Sequence, residues 1–218
     1  MPDMNIGIIL AAGKSIRFHH ASHKLLYKLN NKPIIKYSTD ILCKYLDQVI
    51  IITNSSCRPK IRKLFGKNKQ IKILTNDIDT RLESIKTGLD FIKREDSPSK
   101  VLIHDAARPF ITQRMVENLL LCSDSYQHAQ YYLKLVNGLV QKTIDGYDVA
   151  DRDQYIELCT PQIIEYHLFN FLFRKYIYPE DRISCEILPL LNRFNISNHL
   201  IEGNNRYLRK ISTLEDVE

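Results

Sequence analysis

The sequence predicts an α/β fold built on a largely parallel sheet. Short continuous apolar runs recur through the first half of the chain, and helical stripes of apolar residues fall between them. After about residue 128 that alternation yields to an aromatic and β-branched stretch with turn signals. The length, 218 residues, suits one domain with a real core.

Residues 5–10 (NIGIIL) are an uninterrupted apolar run, the pattern of a strand covered on both faces. A polar stretch follows to His23. Pro33 then opens a helix in which Ile34, Ile35, Tyr37, Ile41, Leu42 and Tyr45 recur at helical spacing. A second buried strand is expected at 48–53, a short helix at 59–65 and a third strand at 71–74. Leu82, Ile85, Leu89 and Ile92 form one stripe along a helix at 80–93. A fourth strand at 101–104 leads through Pro109 to a helix near 112–122. Residues 128–135 read as a strand, Asn137-Gly138 as a hairpin signal and Asp145-Gly146 as a second turn. A two-stranded ribbon is not stable alone, so this arm, about 128–155, should lean on another surface, naturally a second subunit. The alternation resumes with helices near 162–174 and 184–193, strands near 196–201 and 207–211, and a final helix begun at Ser212 or Thr213. No repeat, linker or low-complexity tract interrupts the chain, so residues 1–218 read as one domain with a protruding arm.

Composition narrows the function classes. Lys and Arg exceed Asp and Glu by 31 to 25, a balance that suits nucleotides and phosphates as well as nucleic acid. No apolar run approaches the roughly 20 residues of a membrane span, and the start lacks the basic and apolar regions of a secretion signal. Five cysteines (43, 57, 122, 159 and 185) include no CxxC pair and are odd in number. That speaks against a disulfide framework or a zinc site and for a reducing cytoplasm. Seven glycines are too few for a collagen-like or disordered chain.

In an open α/β sheet, ligands bind beyond the carboxyl ends of the strands. Three segments leaving strand ends carry unusual chemistry. In the first, small residues Ala11, Ala12 and Gly13 let backbone N–H groups approach an anion, and Arg17, Lys24 and Lys14 supply positive charge. Neither the P-loop spacing nor GxGxxG is present. The plain alternative is a surface turn with solvated basic residues. In the second, IHDAARP, Asp105 at a strand end suits Mg²⁺, the alanines leave room, and Arg108 reaches an anionic oxygen. A capping aspartate with a local arginine partner is the alternative. The third joins Asp151-Arg152-Asp153 to Cys159-Thr160-Pro161-Gln162, which also fits a simple helix start.

AAGxxxR, a lysine seven residues on, TRxxSxxxGL, HDAARP, DR and TPQ occur in that order from about residue 5 to about residue 216. Together they resemble the 2-C-methyl-D-erythritol 4-phosphate cytidylyltransferase family and the related ribitol 5-phosphate cytidylyltransferases. HDAARP and AAGxxxR are the most specific parts. The resemblance implies a Rossmann-like nucleotidyltransferase fold, a mostly parallel sheet flanked by helices with a protruding β-hairpin arm. It implies a cytoplasmic homodimer, clasped through the arms, that transfers CMP from CTP to a polyol phosphate with Mg²⁺ and releases pyrophosphate. With methylerythritol phosphate as acceptor the role would be isoprenoid biosynthesis. Carried over by position, Arg17, Lys24 and Lys210 are the catalytic cations, Lys210 lying in RKISTLEDV. Ala11, Ala12, Gly13, Thr80, Arg81, Ser84 and Ala107 would bind the nucleotide. Asp105 would hold metal and acceptor, with Arg108, Thr160, Ser184 and, from the partner's arm, Arg152 around the acceptor.

The chemistry agrees with this inventory. A phosphomonoester is close to a dianion at neutral pH and attacks phosphorus without a general base. The requirement is cations that bring two anions together. The acceptor side departs from the family pattern. Gly138 and Leu139 stand where an Asp-Thr pair is usual, Cys185 replaces an aspartate, and Asp77-Ile78 replaces glycines near the base. An altered acceptor, or weak activity, follows from these departures. The rivals are a nucleotidyltransferase for another sugar phosphate and a nucleic-acid binder using the run Lys60, Arg62, Lys63, Lys67 and Lys69, which reads more simply as a solvated face. His19, His20 and His23 read as a mobile polar loop rather than a metal site. Tyr131 and Tyr132 read as packing residues, and His104 as fastening a loop.

Overall fold

A computed structural model describes residues 4–19, 23–78, 80–95, 98–176 and 187–217. In chain order the strands are β1 (Asn5–Ala11), β2 (Lys28–Leu29), β3 (Lys32–Pro33), β4 (Gln48–Thr53), β5 (Ile71–Thr75), β6 (Lys100–Asp105) and β7 (His128–Lys134). They continue with β8 (Leu139–Lys142), β9 (Tyr147–Ala150), β10 (Ile156–Glu165) and β11 (Asn198–Glu202). The helices are α1 (Ile34–Leu42), α2 (Arg58–Phe65), α3 (Arg81–Glu95), α4 (Gln113–Cys122), α5 (Tyr166–Tyr176), α6 (Leu188–Arg193) and α7 (Asn205–Leu208).

Seven strands form one sheet in the order β11-β7-β10-β6-β1-β4-β5. All neighbours are parallel except β10, which runs antiparallel to both β6 and β7. The continuous apolar runs have the cause the sequence suggested: Ile6, Ile8 and Ile9 of β1 and Ile50, Ile51 and Ile52 of β4 are wholly buried between two helical layers. One core holds Ile9 and Ile51 against α1, α2 and α4, and the other holds Ile8 and Ile50 against α3 and α5. Each such isoleucine contributes about 1.5–3 kcal/mol by leaving water, so the two faces are anchored independently of any ligand. Gly88 lets α3 approach the sheet closely, since a Cβ there would lie 2.8 Å from Ile8 Cδ1. That approach sets the first turn of α3 beside the ends of β1 and β6.

The register aligns the strand ends. Leu10 stands opposite Asp105, and Ala11 opposite Thr53. The loops that leave β1, β4 and β6 therefore open side by side at the carboxyl edge.

Several expected elements differ. Residues 162–165 belong to β10, and the helix begins at Tyr166, so Thr160-Pro161 is not a helix start. Residues 162–165 pair with β6, β-branched Ile163 and Ile164 enter the two cores on opposite faces, and this burial overrides the helical spacing. Asn137-Gly138 links β7 to β8 and turns no hairpin. The β8–β9 ribbon turns at 143–146, where the Thr143 N–H donates to Gly146 O at 2.9 Å. Of the expected arm 128–155, β7 lies in the central sheet between β11 and β10. The strand expected at 207–211 is replaced by α7, whose cap Asn204 accepts from Arg206 N at 2.8 Å, followed by irregular chain. The expected final helix is one 3-10 turn, Glu215–Val217, and Asp216 instead accepts from Ser212 N and Thr213 N at 2.6 and 2.8 Å. Residues 184–186, with Ser184 and Cys185, lie outside the described residues. Among the described residues no helix is long and apolar enough to cross a membrane.

Candidate active site

A cleft of about 330 Å³ opens where those loops meet. Its walls include Ala11, Ala12, Gly13, Arg17 and Lys24 from the loop after β1, and Thr80, Arg81 and Ser84 from the start of α3. Asp105 and Ala107 come from the end of β6, and Lys210 and Ser212 from the chain after α7. Arg17, Lys24 and Lys210 thus share one cavity beside Asp105, although the chain separates them widely.

Two main-chain ties hold Lys210 there. The Ile211 N–H donates to Ala107 O at 2.8 Å, and the Arg108 guanidinium donates through Nη1 to Leu208 O. The irregular stretch after α7 is thereby fastened to the Asp105 loop.

Asp105 is the electrostatic centre. Lys210 Nζ donates to its Oδ2 at 2.8 Å, while Arg81 Nε and Arg108 Nε lie 3.8 Å from Oδ1 and Oδ2. Burial alone would raise its pKa, but Lys210, Arg81 and Arg108 outweigh burial and hold the carboxyl at about 2. Lys24 is also shifted down, which in its case disfavours the charged form. Burial, then repulsion from Lys210 and Arg17, lowers its amine from 10.5 to about 8. A cleft that disfavours its own positive charge in this way is poised to gain an anion.

Arg108 and Thr160 sit behind Asp105 rather than on the cleft wall. The Asp105 N–H donates to Thr160 Oγ1 at 3.0 Å, and Arg108, buried, also lies 3.7 Å from Glu157 Oε1. Thr160 thus meets the main chain of Asp105, and Arg108 its carboxylate. Arg152 is not brought to the cleft of its own chain. It lies at the foot of the arm, exposed, and its Nη1 donates to Val136 O at 2.6 Å.

His104 fastens its loop, as expected. It donates to Arg108 O at 3.0 Å, and burial lowers its pKa to about 4, so it stays neutral. Tyr131 is a packing residue whose hydroxyl donates to Met115 O at 3.2 Å. Burial pushes the Cys159 thiol up to about 11, which leaves it without thiolate character. The basic run on α2 and the following loop is exposed, while Ile61 and Phe65 of the same helix face inward.

Two residues that sequence reasoning passed over shape the cleft. Asn54 follows β4, and its Nδ2 donates to Ala12 O at 3.1 Å while its Oδ1 accepts from Cys57 N at 2.9 Å. Asn76 follows β5 in the same way. Its Nδ2 donates to Ser84 Oγ at 3.1 Å and to Ile78 O at 3.0 Å, and its Oδ1 accepts from Ile78 N at 3.0 Å. An asparagine directly after a strand, at the carboxyl edge, is the signal the sequence offers for both.

The family model for 2-C-methyl-D-erythritol 4-phosphate cytidylyltransferase matches residues 6–218. A cytidylyltransferase of that name from Caldicellulosiruptor bescii is 30% identical over 214 residues, covering 96% of this chain and 92% of its own. One from Clostridium botulinum strain Okra is 28% identical over 221 residues, covering 98% and 94%. Among solved structures, the 4-diphosphocytidyl-2C-methyl-D-erythritol synthase of Anaerococcus prevotii superposes with a TM-score of 0.82 at 20% identity, covering 99% of this chain and 95% of that one. The bifunctional IspDF of Campylobacter jejuni gives 0.77 at 22% identity over 98% of this chain and 53% of its own. These structures share the fold, and the match of sequence along nearly the whole length says more: the chain is a nucleotidyltransferase belonging to the 2-C-methyl-D-erythritol 4-phosphate cytidylyltransferase family.

Proposed function

We propose that this cleft binds CTP with Mg²⁺ and transfers CMP to 2-C-methyl-D-erythritol 4-phosphate. A phosphate oxygen of the acceptor attacks the α-phosphorus, a new P–O bond forms, and the bond to the β-phosphate breaks with release of pyrophosphate. The observation that carries the reading is the convergence of Arg17, Lys24 and Lys210 in one cleft beside Asp105. The acceptor dianion needs no base, so the work left to the protein is positioning and charge compensation.

Each group has a role in that reading. The backbone at Ala11, Ala12 and Gly13 takes the nucleotide at the end of β1, Thr80, Arg81 and Ser84 line its base and sugar side, and Ala107 leaves room for the ribose. Arg17 and Lys24 hold the triphosphate, and Lys210 offsets charge on the nonbridging oxygens. Arg108 and Thr160 keep Asp105 oriented toward acceptor and metal. Among the described residues no group of three or more His, Cys, Asp or Glu side chains forms a ready-made metal cage. Magnesium in nucleotide sites draws most ligands from phosphate and water, so one ionised carboxylate fits it. Asp105 is that carboxylate, and the ion would offset triphosphate charge there.

The second subunit belongs to the same proposal. Ile144 is 100% exposed, Val149 91% and Val136 78%, an apolar ribbon that a second copy would cover, bringing Arg152 toward the partner's acceptor site. Unpaired Cys43, Cys57, Cys122 and Cys159 suit a reducing cytoplasm.

One observation favours a second reading. Gly138 and Leu139, at the foot of the arm, bring no side-chain hydroxyl to an acceptor phosphate. A different alditol phosphate, such as D-ribitol 5-phosphate, is therefore the alternative acceptor. Pyrophosphate release with CTP and Mg²⁺ decides the matter when each phosphate is supplied in turn. Turnover with methylerythritol phosphate is expected. Turnover only with ribitol phosphate transfers the reading to that acceptor, equal use of UTP or GTP overturns the nucleotide assignment, and turnover of neither phosphate overturns the function.

A further inference from the structure

Arg17 and Lys24 belong to one loop, and they repel each other when no polyanion lies between them. Something in the loop must hold them together beforehand. Part of the answer is burial: Phe18 is 1% exposed and meets the Tyr27 ring edge-on at 5.5 Å. The rest is His23.

Its Nδ1 accepts from the Leu25 N–H at 3.4 Å, so the ring proton resides on Nε2. Nε2 stands 2.8 Å from Gly13 O and 3.0 Å from Ser15 Oγ, and donates between them. One neutral imidazole therefore ties the start of the loop to the turn that carries Lys24. Ser15 sits at φ 58°, a left-handed conformation that non-glycine residues seldom adopt. The hydrogen bond to its hydroxyl helps keep it there. Burial lowers the pKa of His23, a carbonyl contact with Gly13 opposes this, and Lys24 and Lys60 lower it further, which favours the neutral ring. The mobile histidine loop expected from the sequence is thus corrected at His23: its ring is a fixed part of the cleft's support.

We propose that His23 is a positioning residue that clasps the triphosphate loop, setting Arg17 and Lys24 before the nucleotide arrives. This rests on the reading of the cleft as a CTP site. The clasp acts on nucleotide affinity rather than on the chemical step, because it orders the loop without touching the reacting phosphates.

The test compares His23→Ala, His23→Gln and His23→Asn by calorimetric titration with CTP and Mg²⁺, steady-state kinetics and thermal melting. Glutamine places an amide donor where Nε2 stands, and asparagine mimics only Nδ1. His23→Ala should raise the Kd and KM for CTP about tenfold and change kcat less than about threefold. His23→Gln should recover most of the affinity and His23→Asn little of it. Normal CTP affinity in His23→Ala, or the same affinity in all three variants, overturns the clasp. A wild-type protein that fails to bind CTP overturns the site assignment instead, so the two failures are distinct.

Discussion

Replacing Lys24 by methionine should stabilise the nucleotide-free protein while removing most of its turnover. The amine titrates at about 8 instead of 10.5 because burial, Lys210 and Arg17 all oppose its charge. At about 1.4 kcal/mol per pH unit, keeping that charge in the folded state costs about 3 kcal/mol at pH 7. Lys24 is partly open to water, so screening lowers the recoverable part to about 1–2 kcal/mol. The sign follows from the direction of the shift. A lysine with a depressed folded pKa is a burden wherever the unfolded chain is protonated. The burden is therefore full below about pH 8 and fades as the pH rises toward 10.5. Methionine keeps the apolar stem and drops the charge. For a chain of this size the gain corresponds to roughly 2–8 °C in Tm at pH 7, shrinking to less than about half at pH 9.5. Turnover, read as pyrophosphate release, should fall about 10²–10³-fold. A Tm at pH 7 that is unchanged or lower, an equal gain at both pH values, or near-normal turnover would refute the reasoning.

Two further outcomes are expected. Asp105 has the opposite linkage: burial works against it, yet Lys210, Arg81 and Arg108 hold its carboxyl at about 2 against 3.8 for the unperturbed group. It should contribute about 2 kcal/mol above pH 4, lost as pH falls from about 4 to 2, so urea unfolding of Asp105→Asn and wild type should converge near pH 2. A stability gap between the two that is independent of pH would contradict the charge network. On the arm, Ile144→Asp combined with Val149→Asp should convert a dimer to monomer in sedimentation. A dimer that persists would show that the exposed ribbon is not the contact.

The elements that the sequence exposed most clearly are those whose partners are set by burial alone. The isoleucines of β1 and β4 meet helices on both faces, which accounts for so continuous an apolar run in so short a segment. The stretch 162–165 is a strand and not the expected helix because its isoleucines suit either element, and the choice rests on pairing with β6, a partner far away in sequence. The strand expected at 207–211 failed for a similar reason. Leu208 is buried and Ile211 binds Ala107, so the segment follows the Asp105 loop rather than a sheet edge. In the site, Arg17, Lys24 and Asp105 are legible because cations and a carboxylate after strand ends have a definite chemistry, whereas Lys210 is reached only through the resemblance of RKISTLEDV to the family pattern. The roles of Asn54, Asn76 and His23 are not legible, since they rest on bonds to backbone atoms and, for Asn76 and His23, also to the hydroxyls of Ser84 and Ser15, which a one-dimensional pattern does not display.

The fastening of Lys210 to the Ala107 loop bears on how the protein loses function. Arg17 and Lys210 stand near opposite ends of the chain, and each reaches the cleft only through strands that must first pair with distant ones. No short segment of the polypeptide contains all three cations: Arg17 and Lys24 share one loop, and Lys210 comes from the far end of the sheet-forming chain. Catalytic competence should accordingly vanish in step with cooperative unfolding of the whole sheet, so that residual activity in denaturant becomes a direct count of intact molecules.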